Sequence, residues 1–490
     1  MKDISLSNNP IAGLKPLPVW KHFLQLTRIP RPSHHEAAIQ EHVISIAQSL
    51  ALEFIRDPHD NILIRKSASP GMEGAPGVIL QGHLDMVPQA NSSTRHDFTR
   101  DPIQARIDHD WVTASGTTLG ADNGIGVAAA LAVLEGQKLK HGPLEVLFTS
   151  NEEDGMTGAK GLSPDLLRGE ILLNLDSEEE GLVCIGCAGG ANVTSELDYE
   201  PQSPAPELET LILEVGGLSG GHSGLDIHRG RGNANRLLAR LLNLAGEQVA
   251  FRLGEFSGGN MRNAIPREAV ARVMLERELV PRFNSLIERL AGQIRHEYST
   301  TEPEMKISLR AGEVAGALLP ETLQGRLLDA INACPSGVQR MSADMPDLVE
   351  TSTNLSVVRI AEGRMEIRCL VRSSLDSARD ALCAELRSLF RLAGAESRID
   401  GHYPGWQPNP DSRLLYLLGD AYRALFGTSL RTGAIHAGLE CGVIGSRYPA
   451  LEMASLGPTI RNPHSPDERL HIVSVQRFWD LLVATLGRLE

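Results

Sequence analysis

Short apolar runs that stop abruptly at charged or turn-forming residues set the pattern of the first third of the chain. Val78-Ile79-Leu80 stops at Gly82-His83-Leu84-Asp85, Leu144–Thr149 at Ser150-Asn151-Glu152-Glu153, and Ile171–Leu175 at Asp176. Short, largely apolar runs of this length read as buried parallel strands. Asn61–Ile64 is a further strand, and residues 91–118 are polar, with a short hairpin near 105–113. Helical spacing occupies most of 14–53, as Trp20–Leu26 and Glu36–Leu52 on either side of Pro30-Arg31-Pro32. The alanine-rich Val127–Leu134 is a strong helix former. With the segment 159–167 it supplies crossovers of the βαβ type.

From about Gly189 strands follow one another more directly. The pattern predicts strands at 211–215, 248–253, 268–276, 305–310, 354–361, 364–372 and 396–400, with helices at 234–244, 281–297, 319–333 and 377–393. This texture predicts an α+β insert of two similar halves. Pro404, Pro408 and Pro410 mark a return boundary, after which a helix at 412–426, a strand at 450–454 and a helix at 472–489 resume the α/β texture. The expected architecture is an α/β domain split between 1–187 and 402–490, with the insert at 188–401.

A chain of 490 residues exceeds one simple core, in keeping with two domains. Its 42% hydrophobic and 22% charged content is that of a soluble globular protein. The net charge of −14 argues against nucleic acid or an anionic membrane as partner. No apolar run approaches the ~20 residues that span a bilayer. Met1-Lys2-Asp3-Ile4-Ser5 opens no signal sequence, so the expected location is the cytoplasm. Six cysteines make no disulfide framework, and Cys184-Ile185-Gly186-Cys187 lacks the second pair that a zinc site needs.

The residues at the strand ends carry the chemistry. His83 and Asp85 point to one side of an extended segment, which suits a metal-binding imidazole held by a carboxylate. Asp122 precedes the alanine-rich helix among Gly120, Gly124 and Gly126, where backbone can approach an ion closely. An ordinary N-cap is the alternative role for it. A Pro-flanked loop carries His464 after a buried strand. His83, Asp122, Glu153, Asp176 and His464 together suit two divalent cations. Two Zn2+ fit the nitrogen donors best, and Co2+ or Mn2+ fit the same ligands. Glu152 is left free beside them, as a general base must be.

The motifs GHLDMVP (82–88), LGADNGIG (119–126), SNEEDGMTGA (150–159), NLDSEE (174–179), GGHSG (220–224), HAGLECG (436–442) and NPHSPDE (462–468) occur in this order. In this the chain resembles the co-catalytic di-zinc peptidases of family M20, the aminoacylase/carboxypeptidase G type. Within that family it is similar to the bacterial aminoacyl-histidine dipeptidases. The resemblance implies an aminopeptidase-like catalytic domain with an inserted lid. It implies His83 and Asp176 on one zinc, Glu153 and His464 on the other, and Asp122 as the bridge. Asp85 then stands behind His83, Glu152 is general base and acid to a hydroxide between the metals, and His222 is the oxyanion donor. It implies a small peptide substrate, preferentially with C-terminal histidine, as in β-Ala-His.

Arg372 is the candidate reader of the substrate carboxylate. Asn260 could donate to the substrate backbone, and Gly438 could offer a backbone N–H; a surface ion pair and a turn are the alternatives for Arg372 and Asn260. His436 and Glu440 either shape the pocket or satisfy one another. A relative acting on N-acyl amino acids or tripeptides would keep the same metals. A metal-dependent binding protein would not need Glu152. A homodimer is compatible with the sequence. The doubled insert leads us to expect that His222 acts within its own chain.

Overall fold

The computed structural model describes residues 9–313 and 316–490, which form two compact units. The first takes the described residues up to Gly186 with Pro408–Ala434 and Leu439–Glu490; the second takes Cys187–Gln407 with Ile435–Gly438. The short 435–438 segment joins the second unit because Ala188 N–H donates to the carbonyls of Ile435 and Ala437.

The first unit opens with α1 (Leu17–Leu26), α2 (Ala37–Ser49), β1 (Glu53–Arg56), β2 (Ile62–Lys66) and β3 (Val78–His83). A hairpin of β4 (Ala105–Asp108) and β5 (Trp111–Ala114) leads to α3 (Ala121–Glu135), β6 (Leu144–Thr149), α4 (Thr157–Gly161), β7 (Ile171–Asn174) and β8 (Leu182–Cys187). The second unit then runs β9 (Gly189–Asp198), β10 (Leu208–Gly216), α5 (Ala234–Gly246), β11 (Arg252–Gly258), β12 (Ala269–Glu276), α6 (Val280–Glu297) and β13 (Lys306–Ala311). It continues through α7 (Glu321–Ala333), β14 (Gly337–Met341), β15 (Val349–Ala361), β16 (Arg364–Ser373), α8 (Asp376–Leu392) and β17 (Glu396–Tyr403). The return comprises α9 (Arg413–Phe426), β18 (Arg431–Ile435), α10 (Glu440–Arg447), β19 (Glu452–Ser455), β20 (Ile460–Arg461), β21 (Arg469–His471) and α11 (Ile472–Leu486).

The main sheet of the first unit has the order β1-β2-β6-β3-β7-β19-β8-β18. Its central neighbours β6, β3, β7 and β19 are parallel, so their carboxyl ends share one edge. Every residue of β3, β6 and β7 is buried, which is why these strands read as mostly apolar runs without a polar alternation. Helix α3 is buried on nearly all sides, so its apolar residues follow no amphipathic period. It packs against the sheet through Gly126, where a Cβ would stand 2.4 Å from the carbonyl oxygen of Leu175.

In the second unit the sheet order is β13-β10-β12-β11-β15-β16-β9-β17, with β14 beside β15. From either outer end to the centre the order repeats: β13-β10-β12-β11 on one side, β17-β9-β16-β15 on the other. The two halves meet where β11 pairs β15 antiparallel. Leu237, Leu238, Leu241 and Leu242 of α5 and Leu382, Leu386 and Phe390 of α8 are buried in its core.

Several elements differ from the sequence expectation. The strand placed at 248–253 lies at Arg252–Gly258, with a bulge between Leu253 and Glu255. The helix in 159–167 is only Thr157–Gly161. Strand β9 was not anticipated, because Gly189-Gly190 reads as a break. Those glycines are there to admit backbone, since a Cβ on Gly189 would stand 2.4 Å from Gly405 N.

Substituting Gly126→Ala should destabilise the protein by about 1–3 kcal/mol, because the added methyl meets the backbone carbonyl of Leu175, which cannot swing aside, as well as the side chain of Asn123. Urea unfolding checks this, and an unchanged midpoint would contradict it.

Candidate metal centre

Five ionisable side chains converge at the carboxyl edge of the central strands, the edge where open α/β sheets place their ligands. His83 is the last residue of β3, Glu153 follows β6, Asp176 follows β7, Asp122 stands at the start of α3, and His464 sits on the loop between β20 and β21. Asp122 presents one oxygen to each imidazole: Oδ1 lies 3.0 Å from His83 Nε2, and Oδ2 lies 3.1 Å from His464 Nε2. Asp176 Oδ1 is 3.5 Å from His83 Nε2, and Glu153 Oε2 is 3.1 Å from His464 Nε2. The donor atoms of His83, Asp122 and Asp176 lie within 4.8 Å of one another, as do those of Asp122, Glu153 and His464. Glu152 forms a third such group with His83 and Glu153.

The electrostatics of this cluster fit a pair of divalent cations. Asp176 Oδ1 and Glu153 Oε1 are buried without a hydrogen-bond partner. Burial drives the Asp176 carboxyl up to about 8. Hydrogen bonds to Asp122 and Glu153 hold His464 up to about 11. Burial opposes charge on His83, but Asp176, Asp122 and Asp85 outweigh it and keep its pKa well above the ordinary imidazole value. Burial works against Asp122 in the same way, yet His464 and His83 hold its carboxyl below the usual range. Protons thus balance the charge where metal ions would, and the donors are the N/O set that borderline cations take.

Two further carboxylates serve the cluster differently. Asp85 Oδ1 is 3.3 Å from His83 Nδ1 and accepts from Glu152 N–H at 2.9 Å. Its Oδ2 accepts from Glu153 N–H at 3.1 Å and from Ser33 Oγ at 2.8 Å. Burial alone would raise Asp85, but His83, Glu152 N–H and Ser33 bring it down to about 2. It therefore stays ionised while it orients both His83 and the Glu152-Glu153 turn. Glu152 is held by its backbone, and burial pushes its carboxyl well above the ordinary range.

Sequence reasoning missed the two charged residues that brace the centre. Arg31 is 2% exposed; its Nη1 donates to the carbonyls of Leu84 and Asp85, both at 2.8 Å, and its Nη2 to Gly120 O. Glu468, 1% exposed, accepts from the N–H groups of Leu119, Gly120, Ala121 and Asp122 at 2.7–3.2 Å. Four residues after His464, it ties that loop to the turn that aims Asp122. The available signals were an arginine between two prolines and the final residue of NPHSPDE.

The remaining candidates lie in the second unit. His222 Nδ1 accepts from Gly224 N–H at 3.1 Å and Leu225 N–H at 3.0 Å, so the proton of the neutral ring sits on Nε2. Burial and the Arg372 charge push this imidazole down to about 4. Arg372, 6% exposed, donates through Nη1 to Tyr403 Oη at 2.7 Å, while its buried Nε has no partner. Gly224 borders both: a Cβ there would be 3.1 Å from His222 Cε1, 3.2 Å from Arg372 Nε and 2.1 Å from the carbonyl oxygen of His436, two residues before Gly438. Asn260 lines a cavity of about 990 Å³ with Ile212, Glu214, Arg272 and Arg310. His436 and Glu440 do not satisfy one another. His436 Nε2 is 2.7 Å from Ser352 Oγ, whereas Glu440 bonds Gln81 and Thr149.

Residues 79–488 match the model of Peptidase family M20/M25/M40. The chain is 46% identical over 476 residues to the cytosol non-specific dipeptidase of Escherichia coli, covering 97% of this chain and 98% of that protein. It superposes on the crystal structure of an aminoacylhistidine dipeptidase from Vibrio alginolyticus with a TM-score of 0.91, at 45% identity over 99% of both chains. A tripeptidase from Staphylococcus aureus shares the fold at 16% identity, with a TM-score of 0.57 over 97% of this chain and 99% of that one.

Glu468→Ala would leave four backbone N–H groups without their acceptor and should destabilise the metal-free protein by about 3 kcal/mol. Denaturant unfolding after chelation measures it; unchanged stability would show that these donors find other partners.

Proposed function

The chain belongs to peptidase family M20/M25/M40, and from that premise we propose that it is a metal-dependent dipeptidase preferring substrates with C-terminal histidine, such as β-Ala-His. The observation that carries the proposal is the cluster of two imidazoles and three carboxylates, largely buried except for the exposed His464, with Glu152 beside it. His83 and Asp176 would hold one cation, Glu153 and His464 the other, with Asp122 between them. Zinc suits these donors, and cobalt or manganese could take the same places. Such a pair, when bound, polarises a carbonyl and lowers the pKa of a shared water.

This chain's own residues do the rest. Glu152 takes a proton from the attacking water and passes it to the leaving amine. Its burial raises its proton affinity, the direction a general base needs. Asp85 keeps His83 and the Glu152 turn in place. His222, neutral with Nε2–H free to donate, is assigned to the developing oxyanion. Arg372 is assigned to the substrate carboxylate, for which it still has an unpartnered N–H. Gly438 is assigned a backbone N–H to the same group, and Asn260 a contact to the substrate backbone on its chemistry alone. A cytoplasmic location belongs to the same proposal; among the described residues no helix is long and apolar enough to cross a membrane.

Metal-depleted protein, assayed with and without added zinc on β-Ala-His, Gly-His, Ala-Ala, an N-acetyl amino acid and a tripeptide, tests this reading. Zinc-restored cleavage mainly of the His-ended dipeptides is the expected result. Cleavage confined to the acylated or longer substrates would overturn the specificity, and cleavage of none would overturn the enzyme. In the same assay Glu152→Gln should retain metal and lose about 10²–10⁴-fold in kcat.

A further inference from the structure

A row of side chains with no exposed surface crosses the main sheet beneath the metal centre. Ser455 Oγ on β19 donates to Asn174 Oδ1 on β7 at 2.5 Å, and Asn174 Nδ2 donates to Gln81 Oε1 on β3 at 2.6 Å. Gln81 Nε2 donates in turn to Glu440 Oε2 at 2.6 Å, and Thr149 Oγ1 on β6 adds a bond to the same oxygen at 2.7 Å. Ser455, Asn174, Gln81 and Thr149 are 0% exposed, and Glu440, the first residue of α10, is 1% exposed. The row follows the strand order β6, β3, β7, β19, and its bonded pairs Gln81/Asn174 and Asn174/Ser455 are direct partners in the strand register.

Two features distinguish this row from ordinary buried polar packing. Gln81 lies two residues before His83 on β3 and shares its strand face, and Asn174 ends β7 two residues before Asp176, whose N–H donates to its Oδ1 at 3.3 Å. Thr149 ends the strand that runs into Glu152 and Glu153. The amides and hydroxyls also donate in one direction, toward Glu440, which as a carboxylate only accepts. A neutral amide could receive both of these bonds on one oxygen. The chain instead places a carboxylate there, with Oε1 buried and unpartnered, an arrangement that a dry interior penalises unless positive charge stands nearby.

We propose that Glu440 is a positioning residue for the metal centre: it terminates the row that sets the spacing of His83 and Asp176, and it sets beneath the cation pair a carboxylate that those cations would hold ionised. This rests on the metal reading above and goes beyond it, since Glu440 is not a ligand in either triad. The probe is Co2+, whose visible spectrum reports ligand geometry and whose affinity is measured by chelator competition.

Relative to the parent protein, Glu440→Gln should bind Co2+ about 10–100-fold more weakly, the usual effect of losing a group that orients metal ligands, with an altered visible spectrum. Ser455→Ala, at the far end of the row, should show a smaller loss in the same direction. Parent affinity and parent spectrum in Glu440→Gln, whatever its Tm, would overturn the proposal and leave Glu440 a structural polar residue. If Glu440→Gln does not fold, Gln81→Met decides on the same two readouts. A parent protein that takes up no Co2+ would remove the metal reading and this inference with it, so the two failures are told apart by the parent alone.

Discussion

Asp122 stands between His83 and His464 with one oxygen turned to each, and the first unit is arranged to keep it there. A carboxylate in that place, with Asp176 and Glu153 against the same imidazoles, concentrates charge in a buried space where unpaired ions are strongly disfavoured. The fold answers with fixed partners. Glu468 gathers the N–H groups of residues 119–122, Arg31 clamps the carbonyls of Leu84, Asp85 and Gly120, and Asp85 binds the turn that carries Glu152 and Glu153. Glu468 and Asp85 each join two chain segments that contribute to the cluster, and Arg31 ties the His83 and Asp122 segments to one another, so moving one ligand disturbs the others. Such coupling preorganises a site for cations and for the charge that develops during amide hydrolysis.

The parallel strands supply the frame. Because β6, β3, β7 and β19 run the same way in adjacent register, residues just past their ends fall within a few ångströms without long excursions of the chain. The buried row from Ser455 to Glu440 lies in this frame directly beneath the cluster and links all four strands through side chains. In the second unit the repeated strand order on either side of the β11–β15 pairing gives two halves of one design; the His222 ring is fixed by backbone donors of its loop, and the Arg372 side chain on β16 by Tyr403.

The strand ends were legible in the sequence because two signals coincided there. Val78–Leu80, Leu144–Thr149 and Ile171–Leu175 are mostly apolar, broken only by Glu145, Thr149 and Asn174, and each leads within a few residues to His83, Glu152-Glu153 or Asp176. The bracing residues carried no such signal. Arg31 lies in a segment where the prolines speak only of a break, and the partners of Glu468 are backbone groups some 350 positions away. Strand β9 was lost for a related reason: Gly189 and Gly190 weaken the local pattern, and only their closeness to Tyr403 and Gly405 explains them. His436 and Glu440, close in sequence, bond to different partners, which spacing alone did not reveal.

His83, Asp122, Glu153, Asp176 and His464 are proposed to hold two cations, with Asp122 shared between them. The most direct measurement is metal content per chain by mass spectrometry, after zinc loading and exhaustive dialysis of the parent protein and of Asp122→Asn. Two zincs per chain are expected in the parent and one or fewer in the variant, with the fold retained by circular dichroism. One zinc or none in the parent, or two held as tightly by Asp122→Asn, would contradict this assignment.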